Sequence, residues 1–168
     1  SWESSLEYYR LLNQGVKARL GGLHSAKVLM DSLDFHPIEQ LQNQGDWDEM
    51  GRILAHSAAR LETAGADLIV LATNTMHKVA PQIEQSIRIP LLHIADAAAS
   101  AIRTKRIVKV GLLGTKFTME QDFYRERLAS HEIETVIPGL RDRDIVHRVI
   151  YEELCLGKIE EASRREFV

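Results

Sequence analysis

Cysteine is almost absent: Cys155 is the single one in 168 residues. That excludes an internal disulfide and fits a reducing cytoplasm. No apolar run approaches the roughly 18 residues of a membrane span, and no signal-peptide pattern is readable at the start. A strong charge excess is also missing. The net charge of -3 and pI near 6.2 give no reason to expect nucleic acid or an anionic membrane as a partner. Glycine-rich phosphate patterns are lacking, since Gly111-Leu112-Leu113-Gly114-Thr115 matches neither the Walker pattern nor GxGxxG. No histidines or acids stand at metal-ligand spacing, and no lysine sits in a recognisable pyridoxal site, so no cofactor is expected. What remains is an ordinary globular composition, long enough for one sizeable core or two small ones.

Short apolar runs alternate with segments of helical period, which predicts a parallel α/β fold built from strand-helix units. Candidate strands are Ala26–Leu33, Leu68–Thr73, Ile89–Ile94, Ile107–Leu113 and Ile133–Ile137. Several are apolar on both faces, as strands covered by helices on each side would be. Asp46 with Glu49 forms a capping-box pattern, after which Trp47, Met50, Leu54, Ser57 or Ala58 and Leu61 share one face and Gly65 closes the helix. Thr118 with Gln121 reads as a second box, with Met119, Phe123 and Leu128 inward. Asp142 is expected to open a third helix, with Ile145, Val146, Val149, Ile150 and Leu154 inward and Gly157 at its end.

Arg103-Thr104-Lys105-Arg106 separates an apolar helix from a fresh strand, which predicts domains over residues 1–103 and 104–168. "EYYRLL" at 7–12 resembles "DFYRER" at 122–127, a short internal repeat consistent with two related halves. The chain opens at Ser1 and stops in a charged stretch without a stop signal, so part of a longer protein is expected.

The apolar run Leu68–Thr73 leads directly into Asn74, Thr75 and His77. In an open parallel sheet, ligands sit where strand ends enter helices. Asn74 or Thr75 either caps the helix that carries His77, Val79, Ile83 and Ile87 or lines a site whose free N–H groups suit a carboxylate. Gly114-Thr115-Lys116-Phe117-Thr118 stands in the equivalent place in the second half, with the same two readings for Thr118. The polar loop around His36 and Gln42 follows a candidate strand and could cover a cleft. His24 reads as a loop residue after a Gly-Gly helix stop. His93 reads as a satisfied core histidine, His77 as a brace for the Thr73 loop, and Cys155 as packing.

These residues carry a resemblance. "ATNTMH" resembles the first active-site motif of the aspartate/glutamate racemase family, where Cys-Asn-Thr-x-His is usual. "SWESSLEYYRLLNQGV" is similar to the segment after the family's Gly-Gly-Met loop, "VGLLGTKFTMEQDFYRERL" to the stretch opening its second domain and "VIYEELCLG" to its later helix, in order and spacing across nearly the whole chain. The likeness is nearest to the broad-specificity amino-acid racemase branch. It implies two pseudo-symmetric Rossmann-like α/β domains with a cofactor-free active site in the cleft between them, acting on an amino acid, in a protein that forms homodimers. In the family two thiols face opposite sides of the substrate α-carbon, since inversion needs a base on one face and an acid on the other. Thr73 occupies the first thiol's position here, and the motif of the second would lie beyond residue 168. The resemblance assigns acid/base duty to Thr73 and substrate contact to Asn74, Thr75, Thr115 and Thr118, and the polar loop adds Gln42 as a substrate contact. A non-catalytic amino-acid-binding protein, or a related single-thiol isomerase or decarboxylase, is the alternative.

Overall fold

The computed structural model describes residues 1–167 and shows a mixed α/β chain that divides into two compact units. The first comprises residues 1–73 and 79–91, and the second residues 74–78 and 92–168. None of the described helices is long and apolar enough to cross a membrane.

In the first unit, α1 (Trp2–Leu20) ends at Gly21, whose positive φ of 74° suits a residue without a side chain. The segment after it corrects one expectation. Ala26–Leu33 pairs with no described strand and stays irregular. Its polar groups are held by side chains instead of a ladder. The Ala26 N–H donates to Asn13 Oδ1 at 3.0 Å, and Asp31 accepts from Ser57 Oγ at 2.7 Å and pairs with Arg60. These bonds, that from Ser57 first, hold the Asp31 carboxyl below its ordinary range. Helix α2 (Phe35–Gln44) is capped by Asp34 and stops at a left-handed Gly45.

Helix α3 (Trp47–Thr63) forms as its sequence dictates. Asp46 Oδ1 accepts from the Glu49 N–H at 3.0 Å, and Met50, Ser57 and Ala58 are buried on the expected face. After it come β1 (Ile69–Val70), a 3-10 turn at Thr75–Val79, α4 (Ala80–Ser86) and β2 (Leu91–Leu92). Strands β1 and β2 pair, with the Ile69 N–H on the Pro90 carbonyl at 2.8 Å. Ala58, Ile69, Val79 and Ile83 form the core here, with Trp47, Leu54, Leu61 and Ile87 around it.

In the second unit, α5 (Ile94–Thr104) leads to β3 (Lys109–Gly111), α6 (Lys116–Glu120), α7 (Asp122–Ala129), β4 (Glu134–Val136), α8 (Leu140–Glu152) and α9 (Glu161–Glu166). Strands β3 and β4 are parallel in the register Lys109 to Glu134, Val110 to Thr135 and Gly111 to Val136. Ala95, Ala99, Tyr124, Leu128 and Ile133 make the core, with Val110 and Phe123 against it. Strand residues that alternate with the core positions, such as Val70 beside Ile69 in β1 and Val136 in β4, are exposed, so these ladders are covered on one face and not on both.

Helix starts shift by a few residues from the sequence expectation. Gly139, not Asp142, precedes α8, and Asp142 lies in its first turn, where a negative charge meets the positive end of the helix dipole. The helix ends at Glu152. Leu154–Leu156 then forms a 3-10 turn holding a half-buried Cys155, and Gly157 adopts a left-handed conformation after it.

Candidate active site

Three hydroxyls converge in the second unit. Thr75 Oγ1 lies 2.9 Å from Thr115 Oγ1 and 3.3 Å from Thr118 Oγ1, and the last two are 3.2 Å apart. Thr75 is 5% exposed and Thr118 1%, so each hydroxyl depends on the others for the hydrogen bonds that water would otherwise supply. Each can donate one bond and accept two, so a closed triangle still leaves acceptor capacity. Such a cluster can reorient its protons to suit either a carboxylate or an ammonium group.

The backbone explains how the three meet. Neither Asn74 nor Thr75 caps a helix through its side chain, which answers the sequence ambiguity. The exposed Asn74 gives only its backbone carbonyl, accepting the His77 N–H at 3.1 Å to close the 3-10 turn. Val79 precedes α4, and the Thr75 hydroxyl points to residues some 40 positions away. In the other loop the cap is Thr115, not Thr118. Thr115 is extended at φ -63°, ψ 160°, and its Oγ1 accepts from the Thr118 N–H at 3.3 Å. That is the N-cap to third-residue relation that satisfies one orphan donor of α6. Gly114 makes room for it: a Cβ there would stand 3.1 Å from the Thr118 side chain.

Histidines pin both loops. His77, 2% exposed, accepts the Ile94 N–H on Nε2 at 3.1 Å and packs edge-on against His93 with ring centres 4.4 Å apart. His93 is the N-cap of α5, its Nδ1 accepting the Ala95 N–H at 3.2 Å. His77 therefore braces the loop as the sequence suggests, and His93 is a buried, hydrogen-bonded histidine that also caps a helix. Burial, and then the positive charge of Arg127, lower the His93 pKa; Asp96 opposes them. Asp96 joins α5 to α7 by a two-pronged pair with Arg127 at 2.7 and 2.6 Å and by His131 at 2.9 Å. The Arg127 bonds are the main cause of an Asp96 carboxyl held far below its usual range.

Sequence reasoning missed His147. On α8 its Nδ1 accepts the Lys116 N–H at 3.2 Å, next to the capping Thr115. The signal was available: Asp144, His147 and Tyr151 fall on one face of a helix by their spacing. Of the six site residues read from sequence, the structure brings together Thr75, Thr115 and Thr118. Asn74 adjoins Thr75 and is exposed. Thr73 is half-buried in the first unit, and Gln42 is buried there on α2. No group of three or more His, Cys, Asp or Glu side chains suited to a metal occurs among the described residues.

Comparison with known proteins gives a consistent answer. The family profile described as Asp/Glu/hydantoin racemase matches residues 1–168. A crystal structure of a candidate Asp/Glu racemase from Yersinia pestis superposes with a TM-score of 0.90 at 57% identity, covering 99% of this chain and 73% of that one. The broad-specificity amino-acid racemase of Bacillus subtilis is 32% identical over 54% of this chain and 40% of its own. A glutamate racemase from Exiguobacterium sibiricum is 30% identical over 77% of this chain and 50% of its own. The chain thus spans about half the length of the curated relatives it matches.

Proposed function

The chain belongs to the Asp/Glu/hydantoin racemase family, and from that premise we propose that the protein is an amino-acid racemase working without pyridoxal phosphate or metal. It removes and returns the α-proton of aspartate, glutamate or a wider set of amino acids. The observation that carries the reading is the triangle of Thr75, Thr115 and Thr118, two of its three members buried. Hydroxyls that both donate and accept suit the α-carboxylate and α-amino groups common to every amino acid, whatever the side chain. Relatives named for glutamate and for broad specificity support leaving the side chain open. Asn74 and Gln42 complete the proposed substrate contacts, and the protein acts as a cytoplasmic homodimer.

In this proposal Thr73 serves one face of the α-carbon. A hydroxyl is a poor general base near neutral pH, where a catalyst works best with its pKa near the working pH. That weakness favours one second reading, a protein that binds amino acids without turning them over. A common experiment separates the two. The α-hydrogen of each enantiomer of aspartate and glutamate is followed by NMR in deuterated water with the protein at its natural length. Exchange that Thr73→Cys accelerates for one enantiomer, and that persists in chelator, supports the racemase. Binding without exchange in either protein supports the binder. If Thr73→Cys and Thr73→Ala both leave exchange of both enantiomers unchanged, Thr73 has no acid/base role.

A further inference from the structure

The loop that supplies Thr115 and Thr118 is tied to α8 at three points. Lys116 Nζ meets Asp144 at 2.5 Å, Glu120 meets Arg143 at 2.9 Å, and the Lys116 N–H meets His147 Nδ1 at 3.2 Å. The first pair is largely solvent-exposed, and such pairs are weak and screened by salt. The third tie differs in kind. It is directional and falls on the backbone of the residue next to the capping Thr115. Its acceptor is a ring that cannot swing freely. The His147 ring packs against Tyr151 with centres 4.8 Å apart and against Phe117 edge-on at 6.0 Å.

From this geometry we infer that His147 is a positioning residue, holding Thr115 and Thr118 where they meet the substrate by accepting the Lys116 N–H. The inference rests on the amino-acid reading for its substrate and on geometry alone for the loop. The Lys116 N–H is one of the donors that the first turn of α6 leaves without a helical partner, as is that of Thr118. Thr115 satisfies Thr118, and His147 satisfies Lys116, so the turn is fixed from both sides. The other hydroxyl-bearing turn is tied in the opposite sense, its own His77 Nε2 accepting the N–H of Ile94 on α5. An imidazole can accept only where it carries no proton. Burial, and next the Lys116 charge, lower the His147 pKa against the opposing pull of Asp144 and Glu120, which keeps the acceptor form at neutral pH.

Two substitutions separate the acceptor from the bulk of the ring. His147→Phe keeps an aromatic ring against Tyr151 and removes the acceptor, while His147→Asn places an amide oxygen near the position of Nδ1. Amide exchange at Lys116 is measured by NMR or mass spectrometry, and racemisation kinetics are measured on both enantiomers of aspartate and glutamate. Exchange at Lys116 should rise about tenfold or more in His147→Phe and return in His147→Asn. KM should rise about tenfold in His147→Phe with kcat within about threefold, and His147→Asn should recover it. Unchanged Lys116 exchange in His147→Phe overturns the inference whatever the kinetics show. Raised exchange that His147→Asn fails to reverse assigns the effect to packing and overturns it too. Faster exchange with unaltered KM breaks the link to substrate. If the parent protein turns over none of these amino acids while the exchange effect holds, the substrate reading fails and the positioning of the loop stands.

Discussion

Replacing Thr115 or Thr118 by valine removes one hydroxyl at nearly constant shape, yet the structure predicts unequal costs. Thr118→Val loses two long contacts, 3.3 Å to Thr75 and 3.2 Å to Thr115. It leaves the 2.9 Å bond between Thr75 and Thr115 intact, and the cap as well. One net hydrogen bond is worth about 1 kcal/mol, and these two are long, so the expected loss is about 1 kcal/mol. Thr115→Val loses the shortest edge of the triangle and also the acceptor of the Thr118 N–H. Removing an N-cap costs about 1 kcal/mol and the hydroxyl bond about 1 more, which together give about 2 kcal/mol. In a chain of this size that difference corresponds to a fall in Tm of about 4–8 °C for Thr115→Val and about half as much for Thr118→Val. Far-UV circular dichroism during heating or urea denaturation is the suitable assay. Both tryptophans, Trp2 and Trp47, belong to the first unit, so their fluorescence would follow the wrong part of the molecule. A Thr118→Val loss equal to or larger than that of Thr115→Val would refute the assignment of Thr115 as the cap.

Acid should destabilise the second unit through two imidazoles, the buried His93 and the half-buried His147. His93 and His147 both have folded pKa values below the ordinary 6.5, so the unfolded chain binds their protons first. Stability is then full above pH 6.5 and falls as pH drops through the lowered folded values. The charges facing them are Arg127 and Asp96 for His93, and Lys116, Asp144 and Glu120 for His147. Urea midpoints measured from pH 8 to pH 5 should fall, and His93→Asn, which keeps a capping oxygen without a titrating ring, should flatten the curve; an unchanged slope would argue against it. Gly114→Ala should crowd the Thr118 side chain, where the new Cβ would lie 3.1 Å from Cβ and Cγ2. Overpacking of this kind costs about 1–3 kcal/mol, and a Tm equal to the parent's would show that the loop yields.

Local chemistry was legible in the sequence wherever a structural choice is made within one or two turns of chain. The Asp46 cap with Glu49, the buried face of Met50, Ser57 and Ala58, and the positive-φ Gly65 and Gly157 all depend on neighbours four residues away or fewer. Family membership was legible too, through motif order. What the sequence left open was decided at a distance. Whether Thr75 caps a helix or joins a site turned on Thr115 and Thr118, about 40 residues later, because a hydroxyl takes whichever partner the fold brings within 3 Å or so. Ala26–Leu33 has the composition of a strand, but a strand exists only through its ladder, and side chains of α1 and α3 satisfied that segment instead. His147 was one more residue on a helix until the Lys116 N–H arrived opposite its ring. Caps and faces follow from backbone geometry carried in the sequence itself, whereas a buried polar group acquires its role only when tertiary packing removes water and supplies the partner.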